Sequence, residues 1–311
     1  MLSLPLIATL ATASVAVDRL LGEPQTAHPL VGFGKLASRI EARLNTGTRA
    51  RLMGIVAWLL AVAPPVVIAV WLVSILPFLY ACALHVALLW FALGARSLHD
   101  HIAPIARALA KRDLAEARVL TSRIVSRETT HADEAALSRA AVESALENGN
   151  DAIFGALFWF AIFGGPGALG FRLANTLDAM WGYRTERYLR FGWAAARFDD
   201  ALNWIPARLT AMSYALLGDT RTALQCWREQ ARRWDSPNAG PVMAAGAGSL
   251  NVQIGGPAVY HGAIENRPTL GMGHAASAPD VISALALVER TIILWLAVFI
   301  VLALLSVPFN A

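Results

Sequence analysis

The sequence predicts an all-α, polytopic helical membrane protein with a broken or re-entrant helix and polar helical cytoplasmic loops. Three observations predict it. Of 311 residues, 56% are hydrophobic and only 15% charged, where ordinary soluble domains carry about 25% charged residues. Mean hydropathy is +0.50. Apolar runs of membrane-spanning length alternate with helix-patterned polar stretches, and one run is interrupted by Gly164-Gly165-Pro166-Gly167. The net charge of +4 and the absence of a dense Lys/Arg run argue for basic cytoplasmic loops and against a nucleic-acid partner. Two cysteines, one inside an apolar run, give neither a disulfide framework nor a zinc spacing.

We read one integral membrane domain over 1–311, with spans near 2–17, 52–75, 77–95, 152–171 (broken), 201–217 (weak) and 291–307. Leu2–Val17 is apolar and uncharged, with no basic residue before it, which favours an uncleaved helix over a signal peptide; Asp18 and Arg19 are expected to end it. From Leu30 the apolar spacing suits an amphipathic helix, lying either on the membrane surface or on the protein's own core. Leu52–Ala95 carries no charged residue over 44 positions, enough for two spans. Pro64-Pro65 is expected to kink the first, and Ser74 to Pro77 to form the turn. Arg96–Asp151 reads as two amphipathic helices broken near Lys111–Asp113, followed by a capped helix from Thr130–Glu134 onward. In 152–171 the glycine-proline insert suits a helix whose freed backbone groups protein shields from lipid. Ala201–Leu217 contains Arg208 and is a weak span. Gly218–Asn238 reads as a polar helix, Pro241–Gly273 as an ordered loop, and Thr291–Val307 as a terminal span. Lys and Arg collect in 19–51, 96–139 and 172–233, which the positive-inside tendency places in the cytoplasm.

The chemistry-bearing residues concentrate between Arg139 and Arg208. Ionisable groups beside hydrocarbon are costly, so they read as a functional site. Glu143, Glu147 and Asp151 are spaced four apart and fall on one helical stripe. Either Mg²⁺ with phosphates compensates them, or the stripe is solvated and paired with arginines such as Arg139. Asn175 and Asp178 follow the broken helix. Arg184, Arg187 and Arg190 recur every three residues, and guanidinium groups match phosphate oxygens; the plainer reading pairs them with Glu186 and the acids. Asp199 and Asp200 are adjacent, with Asn203 and Arg208 beyond. Trp181, Tyr183, Tyr188, Phe191, Trp193 and Trp204 interleave with these charges, as an interfacial belt or as a platform for a large ligand. His28 and His261 are lone loop histidines. GGPAVYHG at 255–262 lacks the G-K-[ST] ending of a phosphate-binding loop.

Several of these segments carry a resemblance: DRLLGEP, HPLVGFGKL, AVESALEN, the block from LFWFAIFGGPGALGF to DDALNWIPARL, SPNAGPVMAAGAGSLNVQIGGPAVYHG and PTLGMG. The chain resembles, over nearly its whole length, the CobD/CbiB family of adenosylcobinamide-phosphate synthases, membrane proteins of cobalamin biosynthesis. One departure is ENGND, where Gly149 and Asn150 stand in place of the family's usual Thr-Ser pair. The resemblance implies a ligase that forms an amide bond between adenosylcobyric acid, a corrinoid, and aminopropanol or its O-phosphate, with ATP as co-substrate and Mg²⁺. Fitted to that reaction, our reading of the residues is that Glu147, Asp151 and Asp178 would hold Mg²⁺–ATP. Arg184, Arg187 and Arg190, with Asn148, Asn175, Asn203 and Arg208, would hold phosphate and substrate. Asp199 or Asp200 would deprotonate the amine. The expected setting is the inner (cytoplasmic) membrane, active face to the cytoplasm, with the bilayer, other corrinoid-pathway enzymes or a second copy as partners. A more distant resemblance to AmpE-like membrane signalling proteins is the alternative.

Overall fold

A computed structural model describes residues 2–23, 29–47, 49–260 and 262–306. His28 and His261 lie outside the described residues. Of the described residues, 76% are helical. Among the described residues, five helices are long and apolar enough to cross a membrane: Leu4–Leu21, Ala50–Ile75, Phe78–Ala110, Glu134–Trp181 and Ala278–Ser306. The 201–217 segment is helical, inside α9 (Trp193–Leu217), but is not one of these five. The chain divides into two compact units. The first comprises Met1–Gly94, Asp151–Asn203 and Val298–Ala311, the second Ala95–Asn150 and Trp204–Ala297.

In the first unit α1 (Leu4–Leu21) runs past Val17. Asp18 and Arg19 do not end it. They sit in its last turn, and the carbonyl of buried Asp18 accepts the Gly22 N–H at 2.8 Å. α3 (Ala50–Ile75) and α4 (Phe78–Ala92) form the expected pair of apolar helices, joined at Leu76–Pro77. Pro64 and Pro65 are both accommodated inside α3. Small residues Gly54, Ala57, Ala61 and Ala69 give α3 a narrow buried face, the composition that lets membrane helices approach closely. The fit is tight at Gly54, where a Cβ would lie 2.1 Å from the Phe191 carbonyl oxygen. Leu169, Leu173 and Leu177, one residue per turn of α8 (Gly155–Trp181), belong to the same core.

α2 (Pro29–Leu44) packs on that core through Phe33 and Ala37, with Leu30, Ile40 and Leu44 alongside. Of the two readings left open by the sequence, packing on the protein's own core holds for this face. Glu41 is buried in it and receives two hydrogen bonds from Arg187, at 3.0 and 2.6 Å, and one from Asn45 at 2.8 Å.

The break in the apolar run 152–171 is present. A single π-helical turn, Asn150–Phe154, leads into α8, and Gly164 departs from helical geometry at φ 65°, ψ −155°. A Cβ there would come within 2.6 Å of the His85 ring, besides the strain of the positive φ. The break frees backbone donors. His85 of α4 takes one of them, accepting the Gly165 N–H on Nδ1 at 2.8 Å. A donor left unpaired in hydrocarbon would cost several kcal/mol.

The second unit contains α5 (Ala95–Ala110), α6 (Leu114–Ser122), α7 (Glu134–Gly149), α10 (Thr220–Gln230), α11 (Ala239–Ser249) and the first two-thirds of α12 (Ala278–Ser306). The breaks fall where expected: Asp113 caps α6 by accepting the Glu116 N–H, and Asp133 caps α7 by accepting that of Ala136. The stretch expected to be loop is ordered differently. Its first part is α11, a helix made of small residues and fully buried against α10 and α7. The remainder forms short strands: β1 (Val252–Gly255) between β4 (Thr269–Leu270) and β5 (His274–Ala275), and β2 (Ala258–Tyr260) paired with β3 (Ala263–Glu265). The all-α expectation therefore needs this small β addition.

Arg187 holds the Glu41 carboxyl below the usual carboxylate range, with burial opposing. Glu41 is 4% exposed and Arg187 64%, so the pair lies between a surface and a buried ion pair, and solvent screens part of its attraction. A depressed folded-state value means that this stability is present above about pH 4.3 and is lost as pH falls through the lowered value. Arg187→Ala should therefore lower thermal stability in detergent at pH 7, and the gap from wild type should close under acid conditions.

Candidate active site

The best-formed polar site in the second unit is built around one carboxylate. Glu143 lies on α7 and is 3% exposed. Its Oε2 accepts from Arg127 and from Nη1 of Arg267 at 3.0 Å. Its Oε1 accepts the Gly255 N–H at 2.7 Å and Nη2 of Arg267 at 3.3 Å. Arg127 comes from the α6–α7 connection, Arg267 from the turn before β4, and Gly255 from the end of β1. Arg267 also lies over the Trp234 ring, 5.3 Å from its centre. A buried carboxylate must be paired and hydrogen-bonded, and four segments converge to do it. Its compensation is two arginines. Neither is Arg139.

One turn further along α7, Glu147 is half-buried and faces a cavity of about 380 Å³. The walls include Arg127, Ser144, Asn148, Trp234, Tyr260 and Arg267. Glu147 is within electrostatic reach of Glu143 and of both arginines. Asn148 donates its Nδ2 to the carbonyl and hydroxyl of Ser144, at 2.9 and 3.1 Å. Asp151, in contrast, lies in the π-helical turn. The extra residue in that turn breaks the four-residue spacing, so the stripe does not continue to Asp151. Asp151 belongs to the first unit, within reach of Arg172, which also lies 3.7 Å from Glu23.

A second acid cluster occupies the first unit. Asp178, near the end of α8, and Asp199 and Asp200 of α9 interact electrostatically. Asn175 and Asn203 donate to opposite oxygens of Asp199, at 3.3 and 3.1 Å. Burial pushes the Asp199 carboxyl up to about 6 and Asp200 adds to the rise, while the two amides pull against it. Asp200 is also raised by burial, with Arg197 and Arg184 opposing; Arg197 stands 3.6 Å away. Asn175, Asp178, Asp199 and Asn203 thus do form one constellation. Glu147, Asp151 and Asp178, read from the sequence as one metal set, have three different surroundings. Among the described residues, no three of Asp, Glu, His and Cys form a group that could hold a metal ion.

The arginine readings need correction. Residues 182–192 form turns, so Arg184, Arg187 and Arg190 do not share a helical face. Arg187 is committed to Glu41. Arg184 and Arg190 are exposed. Arg208 donates to Asn238 at 2.7 Å, to the Pro237 carbonyl at 3.0 Å and to the Trp204 carbonyl at 2.9 Å, and stacks on Trp204; it organises its own loop. Among the six aromatics, Trp181 and Phe191 are buried edge to face with centres 5.2 Å apart, while Tyr183, Trp193 and Trp204 are exposed.

Sequence reasoning missed Arg127, Arg267, Trp234 and Tyr260. The usable signal was indirect: an acid in the otherwise small and apolar AVESALEN helix needs cations from elsewhere, and Arg127 and Arg267 stand in short loops beside structured segments. Gly149 and Asn150 turn away from ligand chemistry. The Tyr214 hydroxyl donates to the Leu146 carbonyl at 3.1 Å and passes so close that a Cβ on Gly149 would lie 2.4 Å from it. Asn150 accepts from Thr210 at 3.0 Å, fully buried.

A polytopic helical membrane protein with a buried carboxylate locked by arginines and a second, half-buried acid cluster is the class that fold and sites define. The chain belongs to the CobD/CbiB family of cobalamin biosynthesis: the model for that family, described as "CobD/Cbib protein", matches residues 11–288. The chain is 55% identical over 289 residues to "Cobalamin biosynthesis protein CobD" of Stutzerimonas stutzeri, covering 92% of this chain and 95% of the relative. Identity to the protein of that name from Chromobacterium violaceum is 52% over 299 residues, 94% and 95% of the two chains. For that of Mycobacterium tuberculosis it is 39% over 276 residues, 87% and 88%. No solved structure matches the chain.

Two outcomes follow from the packing. Glu143→Gln removes the charge between two buried guanidinium groups and should cost about 3–5 kcal/mol, seen as faster limited proteolysis within 252–275. Gly149→Thr should destabilise by about 1–3 kcal/mol through overpacking, and adding Tyr214→Phe, which deletes the crowding hydroxyl, should recover part of the loss in a thermal melt.

Proposed function

We propose that this protein joins adenosylcobyric acid to (R)-1-amino-2-propanol or its O-phosphate through an amide bond, at the expense of ATP and with Mg²⁺, at the cytoplasmic face of the inner membrane. Membership of a cobalamin-biosynthesis family supports the pathway. The observation that carries the chemistry is the pair of acid clusters set among arginines and amides. Activating a carboxylate by phosphoryl transfer and capturing it with an amine is mainly a matter of positioning and charge neutralisation.

Mg²⁺ is commonly held by one or two carboxylates, with phosphate oxygens and water completing its shell. The Asp178–Asp199 pair fits that demand better than the set read from the sequence. Two carboxylates are close enough to interact, burial keeps the Asp199 carboxyl raised, and Asn175 and Asn203 fix its orientation. Bound there with nucleotide, the ion would neutralise phosphate charge. Arg184 and Arg197, both within reach of Asp200, are the guanidinium groups available to phosphate oxygens on that side. Asp200, the least buried of the three acids, remains the carboxylate to take a proton from the amine. ATP is a cytosolic nucleotide, which sets the active face.

The test is direct. Purified protein in detergent, given adenosylcobyric acid, ATP, Mg²⁺ and each amine in turn, should yield the corresponding amide by mass spectrometry. Asp178→Asn should lower the rate about 10- to 100-fold or more, and Arg184→Ala should raise the KM for ATP. No corrinoid amide from any amine would overturn the reaction, and full activity in both variants would overturn the site.

A further inference from the structure

The C-terminal part of α9 has an exposed face that is not built for water. Ile205, Leu209, Met212 and Leu216 follow one another at helical spacing, and each is at least 43% exposed. The opposite face is closed, with Ala207, Ala211, Tyr214 and Ala215 fully buried. From Trp204 to Leu217 the only charged residue is Arg208. A helix on the surface of a soluble domain turns charged and polar groups outward, and a contiguous exposed apolar stripe marks contact with a membrane or with another protein. From Ile205 to Leu216 the stripe is about 17 Å long, little more than half of a hydrocarbon core about 30 Å thick. That length suits a helix lying along the membrane boundary rather than one crossing it.

Beside the stripe is a cavity of about 820 Å³. Arg208 and Met212 both line it, so the apolar face of α9 runs into it without a break. Three guanidinium groups, those of Arg208, Arg228 and Arg232, line it with one carboxylate, Asp235, which leaves an excess of positive charge. Arg208 donates to neutral oxygens of Asn238, Pro237 and Trp204, which hold the side chain without cancelling its charge. Arg228 and Arg232 are exposed, and among the described residues neither forms an ion pair. Trp227 and Trp234 supply aromatic walls, the residue type that settles where hydrocarbon meets headgroups.

The charges call for an anion and the stripe calls for an apolar body. A nucleotide or a free phosphate would meet the first demand and leave the stripe in water. A zwitterionic lipid would cover the stripe but bring an ammonium to the arginines. A lipid of net negative charge meets both demands, since guanidinium groups suit phosphate oxygens and basic pockets at membrane surfaces recognise such headgroups. We infer that this cavity seats the headgroup of an anionic phospholipid, its phosphate on Arg228 and Arg232 and its acyl chains along Ile205, Leu209, Met212 and Leu216. The site is separate from the acid clusters and stands whether or not the ligase reading does.

Native mass spectrometry of the full-length protein released from mixed micelles tests it, with dioleoyl phosphatidylglycerol, dioleoyl phosphatidylcholine and glycerol 3-phosphate as probes. Phosphatidylglycerol should be retained about tenfold or more over phosphatidylcholine. Arg228→Gln and Arg232→Gln should each cut its retention about fivefold and leave phosphatidylcholine unchanged. Both side chains are exposed, so the melt in neutral detergent should not move. Arg233→Gln, next to Arg232 but outside the cavity, should change nothing. Leu209→Ser combined with Leu216→Ser should weaken both lipids alike. Equal retention of the two lipids, a loss from Arg233→Gln equal to that from Arg232→Gln, or glycerol 3-phosphate binding as tightly as phosphatidylglycerol would overturn the assignment. So would a dimer of the chain that Leu209→Ser dissociates and phosphatidylglycerol does not, because a second copy would then own the stripe.

Discussion

A single buried carboxylate, Glu143, sets the order of the second unit. It sits on α7, and everything that satisfies it comes from elsewhere in the chain: Arg127 before that helix, Gly255 at the end of β1, Arg267 beyond β3. Short strands such as these are marginal on their own. Their position is fixed because a backbone N–H and a guanidinium are both required at the same oxygens. Trp234 is drawn in as the surface on which Arg267 rests. The cavity beside Glu147 is thus bounded by groups whose places are fixed by Glu143.

The first unit answers a different demand. Its helices contain groups that lipid cannot satisfy, and neighbours within the unit meet several of them. His85 covers the donor freed at Gly165. Trp159 donates its indole N–H to the Leu202 carbonyl at 3.0 Å, and Trp90 donates to the Gly22 carbonyl at 3.1 Å. The broken helix is tolerated because α4 supplies an acceptor, and the close approach of α3 depends on residues with little or no side chain. Stability here comes from interlocking small and large residues as well as from apolarity, which lipid also offers.

The helices were legible because apolar runs and caps act locally. Asp113 and Asp133 announce α6 and α7 through their own side chains, and the glycine-proline insert marks the break at Gly164 without reference to any partner. Asn175, Asp178, Asp199 and Asn203 were legible as candidates for a related reason, since they lie on two helices that the dense polar block nearly spells out; their grouping was not, because spacing set Asp178 with Glu147 and Asp151. What failed was non-local. The arginine triplet looked helical by spacing, but the chain between α8 and α9 turns instead. The acid stripe looked continuous because a π-helical turn leaves no mark in composition. Arg127 and Arg267 lie 140 residues apart in sequence, and no spacing rule connects either to Glu143.

One stretch bears on how this family is read from alignments. α11 is assembled mostly from Gly, Ala and Ser, and three of its eleven residues are glycine. A methyl group at Gly240 would meet the Ala231 carbonyl at 2.4 Å, one at Gly246 would meet Leu146 at 2.7 Å, and one at Gly248 would meet the Ala223 backbone at 2.9 Å. Selection against growth at these positions would leave a block of invariant columns that no reactant ever touches. Invariance there would measure steric exclusion, so ranking residues by invariance alone would promote a packing spacer above the acids and arginines that carry chemistry.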